Sequence, residues 1–287
     1  MNNIITVQNL KFTYPKAEHE TIHGIDFAIQ KGEIFGFLGP CGAGKSTTQK
    51  ILIGLLRKYT GSVVIANQEV RDKNRDFYEK IGVAFEFPNF YSKLTGLENL
   101  DFFNSLYKKP HKDIPSLFKM VNLEDAMHER VNNYSKGMKM RLNFIRSLLH
   151  DPDILFFDEI TSGLDPVNAR LMKDIILKKK SEGKTIIITT HNMHDADELC
   201  DRVAFIVDGK IPLIDSPRAM KLSAGEKKVR VEYRNSGVLH SQDFLIDAIG
   251  TNQVFIQLLQ TGQLETIHSM EATLEDVFIK ATGRGLV

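Results

Sequence analysis

Residues 39–47 read GPCGAGKST and match the spacing G-x-x-x-x-G-K-[ST], a glycine turn followed by a lysine and a hydroxyl. That set of residue types suits the phosphates of a nucleotide. Gly39, Gly42 and Gly44, with Pro40, Cys41 and Ala43 between them, allow the backbone to curl until its N–H groups point at phosphate oxygens. Lys45 can set its charge between β- and γ-phosphates, Ser46 can ligate Mg2+, and Thr47 completes the run. The apolar run IFGFL precedes the turn and a helical pattern follows, so a helix N-terminus adds its dipole to the site. An accidental glycine turn would lack both flanks.

A second group of candidates lies at strand ends. DILFFDE, residues 153–159, is an apolar run closed by two carboxylates. Neighbouring strand residues project to opposite sides, so the two acids do different work. Asp158 is assigned to Mg2+ through its water shell, and Glu159 to orienting or deprotonating an attacking water. The plainer alternative is a solvated strand end. His191 ends another run, TIIITT, and strand C-termini of a parallel sheet gather beside the ligand crevice. Position alone leaves a structural histidine open. HNMHDADELCD, residues 191–201, is rich in metal-ligating types, yet Met193, Ala196 and Leu199 follow helical apolar spacing. Its acidic residues are therefore expected to face solvent, with Cys200 in the core and no metal bound.

Positioning these residues requires strands that alternate with helices. IFGFLG, DILFFDE and TIIITT are continuous apolar runs separated by helical patterns, which predicts a mostly parallel sheet covered on both faces. ITVQNLKFTYP alternates instead, as a half-buried antiparallel strand does. From Pro88 to about His150 the strand-like runs stop, and ENLDFFNSLY and SLFKMVNLEDAM predict an inserted helical subdomain. Beyond Pro217 a small α+β appendage is expected, with KKVRVEY and QVFIQLL as strands and SQDFLIDAIG and TLEDVFIKATG as helices. The fold class is thus α/β, with a phosphate-loop core, an antiparallel β subdomain, a helical insertion and the appendage.

Composition narrows the partners. Lys+Arg 37 against Asp+Glu 36 gives a net charge of +1, so no global basic field favours nucleic acid. Two cysteines make no disulfide framework and suit a reducing compartment. No apolar run is long enough to span a bilayer, and MNNIITVQNL lacks the features of a signal peptide. A membrane process would need another chain to supply the membrane part.

One further segment narrows the field. YSKGMKMRL, residues 134–142, places Ser135 and Gly137 at the opening of a helix upstream of Asp158. Together with the phosphate loop, DILFFDE, TSGLDP and TIIITTHN, in this order from about Ile4 to Pro217, it resembles the nucleotide-binding subunit of ATP-binding cassette (ABC) transporters. The Y-S-K-G-M form is similar to that of drug- and antibiotic-export systems, and so is the ending TLEDVFIKATGRG. The resemblance implies that Tyr14 stacks on adenine and that His191 contacts the γ-phosphate. It implies that Ser135, Gly137 and Asp165 reach the ATP of a partner cassette. Glu86 stands where the family usually has glutamine, so that it would ligate Mg2+ and couple the metal site to the membrane partner. Cys41, Lys136 and Ile160 also depart from common family residues without removing a group that the chemistry requires.

The function implied is ATP hydrolysis that opens and closes a homo- or heterodimer of cassettes and drives a separate integral-membrane permease. The protein would sit in the cytoplasm, peripheral on the inner face of the cell membrane, with residues 1–217 as the ATPase domain and 218–287 as the appendage. Phe87, Phe90, Tyr91 and Leu94 are expected to face the permease, with packing in the core of the helical subdomain an equal alternative for any single one of them. A soluble single-cassette ATPase, as in iron–sulfur assembly, is the alternative. A non-catalytic nucleotide sensor is disfavoured by Glu159 and His191.

Overall fold

The computed structural model describes residues 3–110, 113–225, 228–262, 264–270 and 272–283. The chain divides into two compact units that meet between Ile214 and Asp215.

In the first unit, β1 (Asn3–Phe12) and β2 (Ile22–Gln30) pair antiparallel. β3 (Ile34–Leu38) leads through the glycine turn into α1 (Lys45–Leu52). β4 (Thr60–Ile65) and β5 (Gln68–Glu69) complete an antiparallel sheet in the order β2-β1-β4-β5. A short α2 (Arg75–Tyr78) precedes β6 (Ile81–Ala84). Three helices follow, α3 (Gly96–Asn104), α4 (Ile114–Met120) and α5 (Lys136–Arg146). The chain then returns to the core through β7 (Ile154–Asp158), α6 (Pro166–Ser181), β8 (Thr185–Thr190) and α7 (Met193–Leu199). β9 (Arg202–Val207) and β10 (Lys210–Asp215) close the second sheet, in the order β10-β9-β3-β8-β7-β6.

The pairings of β3 with β8 and β9, β7 with β8, and β6 with β7 are all parallel, which is the sheet the apolar runs predict. Every residue of β3, β7 and β8 is buried, because helices and the antiparallel sheet cover this sheet where water would otherwise reach it. β1 shows instead the mixed burial of a strand with one face in the core. Phe27 from the antiparallel sheet packs 5.9 Å and 5.2 Å from Phe35 and Phe37 of the parallel one. Each such ring contributes roughly 1.5–3 kcal/mol on burial. The strand that leads into the glycine turn is thus packed into the core shared by the two sheets.

The second unit contains α8 (Pro217–Ala224), β11 (Lys228–Asn235), β12 (Val238–Leu245), α9 (Gln253–Gln260), β13 (Leu264–Met270) and α10 (Leu274–Thr282). Its sheet has the order β12-β11-β13 and is antiparallel throughout. Two expectations are corrected here. QVFIQLL is a helix, capped by the Asn252 side chain accepting from Phe255 N at 3.1 Å. Phe255 and Leu258 then share one face against Val231 and Phe244, a helical spacing hidden inside a short apolar run. SQDFL is a strand, because Ser236 and Gly237, with φ of 52° and 82°, form a tight two-residue turn. That turn folds β12 back onto β11.

Candidate functional site

The turn after β3 is shaped by what surrounds it. A Cβ on Gly39 would lie 2.1 Å from the carbonyl oxygen of Ile206, so only glycine lets the chain pass β9 this closely. Gly44 has φ 110° and starts α1 with no side-chain cap. The first N–H groups of α1 are therefore left for a ligand, as an anion site requires. Lys45 is buried, and its Nζ donates to the Gly39 and Pro40 carbonyls at 2.6 Å and 3.0 Å. An ammonium has three donors, so a further one remains for a phosphate oxygen. Burial holds the Lys45 pKa below the usual lysine range, opposed by the charges of Glu159, Cys41, Asp158 and Glu86.

Residues 41–47, Glu86, Glu159 and His191 line one cleft of about 210 Å3. Asp158 ends β7 directly across from Thr189 of β8, whose hydroxyl donates to its carboxylate. Burial pushes the Asp158 pKa up and the Thr189 bond opposes that shift. Glu159 turns away with φ 49°, a left-handed conformation that costs a side-chain-bearing residue about 1–2 kcal/mol. Its amide donates to Thr189 O at 2.9 Å, which pins the turn. Its Oε1 accepts from the His191 backbone at 3.1 Å and faces His191 Nδ1 at 2.8 Å, while Oε2 accepts from the Thr190 hydroxyl at 3.3 Å. The two adjacent acids thus point to different partners. Glu159 is held in place by Thr190 at the end of β8 and by His191 just after it.

Glu86 follows β6 and is half-buried. Burial raises its pKa, and the charges of Asp158 and Glu159 raise it further. Ser46, Glu86 and Glu159 line the cleft together, and Asp158, outside that lining, precedes Glu159; their oxygens form a donor set of the kind that suits Mg2+. The open N-terminus of α1 and Lys45 suit phosphate. The residues present therefore fit both groups.

Tyr14 lies outside the cleft lining; its hydroxyl is 3.1 Å from Thr47 Oγ1 and its ring stands edge-on to Phe12. That places the Tyr14 hydroxyl next to the phosphate loop. Ser135, Gly137 and Asp165 are not brought to this cleft. Ser135 caps α5 by accepting from Met138 N at 3.2 Å, and Asp165 caps α6 by accepting from Val167 N and Asn168 N. A Cβ on Gly137 would meet Leu164 Cδ2 at 3.4 Å and Ser135 Oγ at 3.9 Å, so these residues form a group of their own.

Sequence reasoning missed several contributors. Thr189 and Thr190 were legible only as strand residues, although two hydroxyls closing a buried apolar run are a signal in themselves. Asn143 of α5 is fully buried; its Nδ2 donates to Phe85 O at 2.7 Å and its Oδ1 accepts from Arg146 at 2.6 Å. Arg146 also donates to Asn89 O at 3.0 Å, so α5 holds the segment on both sides of Glu86. One expectation is overturned: Asp195 does not face solvent but is 6% exposed. Lys173 Nζ reaches it at 2.6 Å and Glu198 at 2.7 Å, and Thr161 donates to it as well. The ammonium supplies the positive charge to the His194, Asp195 and Glu198 group.

A phosphate loop at the end of a central parallel strand, with strand-end carboxylates and a histidine on neighbouring strands, defines a nucleotide hydrolase of the phosphate-loop class. The sequence profile of the ABC transporter family matches residues 22–162, and that of the fluoroquinolone efflux ABC transporter C-terminal domain matches residues 227–271. The chain is 53% identical over 284 residues to a fluoroquinolones export ATP-binding protein of Mycobacterium tuberculosis, covering 99% of this chain and 94% of that one. It is 33% identical to Nod factor export ATP-binding protein I of Rhizobium sp., over 92% of each chain. Among solved structures, a dimeric ATP-binding cassette in a post-hydrolysis state, bound to ADP and Pi, aligns with a TM-score of 0.68 at 26% identity. That alignment covers 74% of this chain and 98% of the other. The chain belongs to the ATP-binding subunits of ABC transporters. It binds and hydrolyses ATP to energise an exporter.

Proposed function

We propose that the protein powers export of amphipathic, drug-like compounds of the fluoroquinolone kind through a separate integral-membrane permease. The observation that carries this reading is the 53% identity to an export subunit across 99% of the chain, the C-terminal segment included. A soluble role in iron–sulfur assembly is not favoured by relatives named for export.

In this reading Ser46, Asp158 and Glu86 hold Mg2+, whose charge offsets that of the phosphates. Lys45 and the backbone of residues 39–47 hold the phosphates, and Tyr14 stacks on the adenine. Glu159 orients a water and accepts its proton, while His191 and Thr190 keep the Glu159 carboxylate aimed. Ser135, Gly137 and Asp165 act on the nucleotide of a second cassette, in a homo- or heterodimer. Their separation from the chain's own cleft supports that assignment. Residues 1–217 form the ATPase domain, with the helical subdomain at about 88–150, and residues 218–287 an appendage. No helix among the described residues is long and apolar enough to cross a membrane. Placement on the cytoplasmic face of the membrane would come through the permease.

The test is drug accumulation in cells that carry the protein with its co-purifying membrane partner. Wild type should lower intracellular fluoroquinolone, and Glu159→Gln should restore it while still binding ATP. Equal accumulation with wild type and Glu159→Gln would remove the drug-export reading.

A further inference from the structure

Gln49 sits on α1, four residues beyond Lys45, and is only 2% exposed. A leucine or methionine would fill that space without burying an amide, so the side chain calls for a polar reason. Its Oε1 lies 3.1 Å from Thr189 Oγ1, whereas its Nε2 is buried without a hydrogen-bond partner. Thr189 stands opposite Asp158 in the ladder between β7 and β8.

A hydroxyl has one proton to give. Thr189 Oγ1 faces oxygens of Gln49, Phe157 and Asp158. Asp158 offers the charged and nearest acceptor, so its carboxylate takes the proton. An oxygen of Gln49 turned toward Thr189 would then be a contact between lone pairs, while an amide N–H there is a hydrogen bond. The network therefore turns the amide so that Nε2 faces Thr189.

We propose that Gln49 and Thr189 are positioning residues for the metal site: Gln49 donates to Thr189, and Thr189 donates to Asp158 Oδ1. This commits one carboxylate oxygen and leaves Oδ2 for the water shell of Mg2+. The chain of bonds runs from α1 through β8 to β7, so it also ties the phosphate-loop helix to the strand that precedes His191 and the strand that ends in Asp158. It rests on the reading of Asp158 as a metal-holding group.

The test uses the full chain with Glu159→Gln, so that ATP stays intact, and reads Mn2+ binding to the ATP-loaded protein by electron paramagnetic resonance. Gln49→Leu and Thr189→Val should each weaken Mn2+ binding about 10-fold. ATP binding in EDTA, read with a fluorescent nucleotide, should not change. Thr189→Ser keeps the hydroxyl and should keep the affinity. The double variant should be no weaker than either single one, because one chain of bonds is broken only once. Unaltered Mn2+ affinity in Gln49→Leu, or fully additive losses, would overturn the relay. If Gln49→Leu fails to fold, Gln49→Met of similar volume carries the same test. Asp158→Asn separates the two readings. Normal metal affinity in that variant sinks the assignment of Asp158 itself, whereas a loss there with none in Gln49→Leu sinks the relay alone.

Discussion

A methyl group on Gly39 would stand 2.1 Å from the carbonyl oxygen of Ile206, a backbone atom of the adjacent strand β9. A backbone oxygen within a closely packed sheet has little room to withdraw. Gly39→Ala should therefore lower the free energy of unfolding by about 2–3 kcal/mol. The check is the urea midpoint, which should fall with the slope of the transition unchanged. An unshifted midpoint would mean that β3 and β9 separate easily at this point. The phosphate loop itself was legible in the sequence because its residues are contiguous and its strand and helix flanks are local. The same holds for Asp158 and Glu159 at the end of one apolar run. Gln49 and Thr189 were not legible as partners. They lie 140 positions apart and meet only because β3 and β8 are neighbours in the sheet.

At the scale of elements, α5 and the residues just beyond it tie the helical segment to the core. His150 lies in that connection, buried, with its ring stacked 3.7 Å from Tyr107 and its Nε2 2.9 Å from Ile81 O of β6. Burial holds the His150 pKa below the usual histidine value of 6.5. The native state thus prefers the neutral ring, while the unfolded chain takes up a proton near that value. Between the two pKa values the unfolded state binds more protons, so stability rises with pH across that window. The contribution is full above about pH 6.5 and is lost as pH falls toward the folded-state value. His150→Gln keeps a donor for Ile81 O and does not titrate. Melting temperatures from pH 7.5 to 5.5 should fall more steeply for wild type than for this variant; parallel curves would discharge His150 from the role. Element types in the first unit were readable because long apolar runs and clear caps agree with the sheet. In the second unit the strand β11 and the helix α10 were readable as well, but QVFIQLL is too short for its period to decide. A two-residue turn at Ser236 and Gly237, rather than any pattern within SQDFL, makes that segment a strand.

At the scale of the whole molecule, the surface after Glu86 distinguishes docking residues from packing residues. Phe87 is 77% exposed and Tyr91 52%, while Phe90 and Leu94 are half-buried. Phe90 lies under the Arg146 guanidinium at 4.9 Å and beside Phe103 at 6.3 Å, so it belongs to the interior of the helical segment. Tyr91 touches Phe102, itself exposed, at 5.1 Å. Exposed aromatics this close to the cleft cost hydration unless a partner covers them, and a permease helix is the partner that the proposed function requires. The segment is also held to α5 by Asn143 and Arg146, and Ser135 caps the other end of that helix. Replacing Phe87 and Tyr91 together with serine should leave the melting temperature and ATP binding near wild type. The same variant should lose the co-purifying membrane protein and with it any stimulation of hydrolysis by that partner. Phe90→Ser should do the reverse in part, lowering the melting temperature by a few degrees, since it removes a half-buried ring that packs on Arg146 and Phe103, at a cost of about 1–2 kcal/mol. Retention of the membrane protein by the Phe87 and Tyr91 double variant would place the docking surface elsewhere on the cassette.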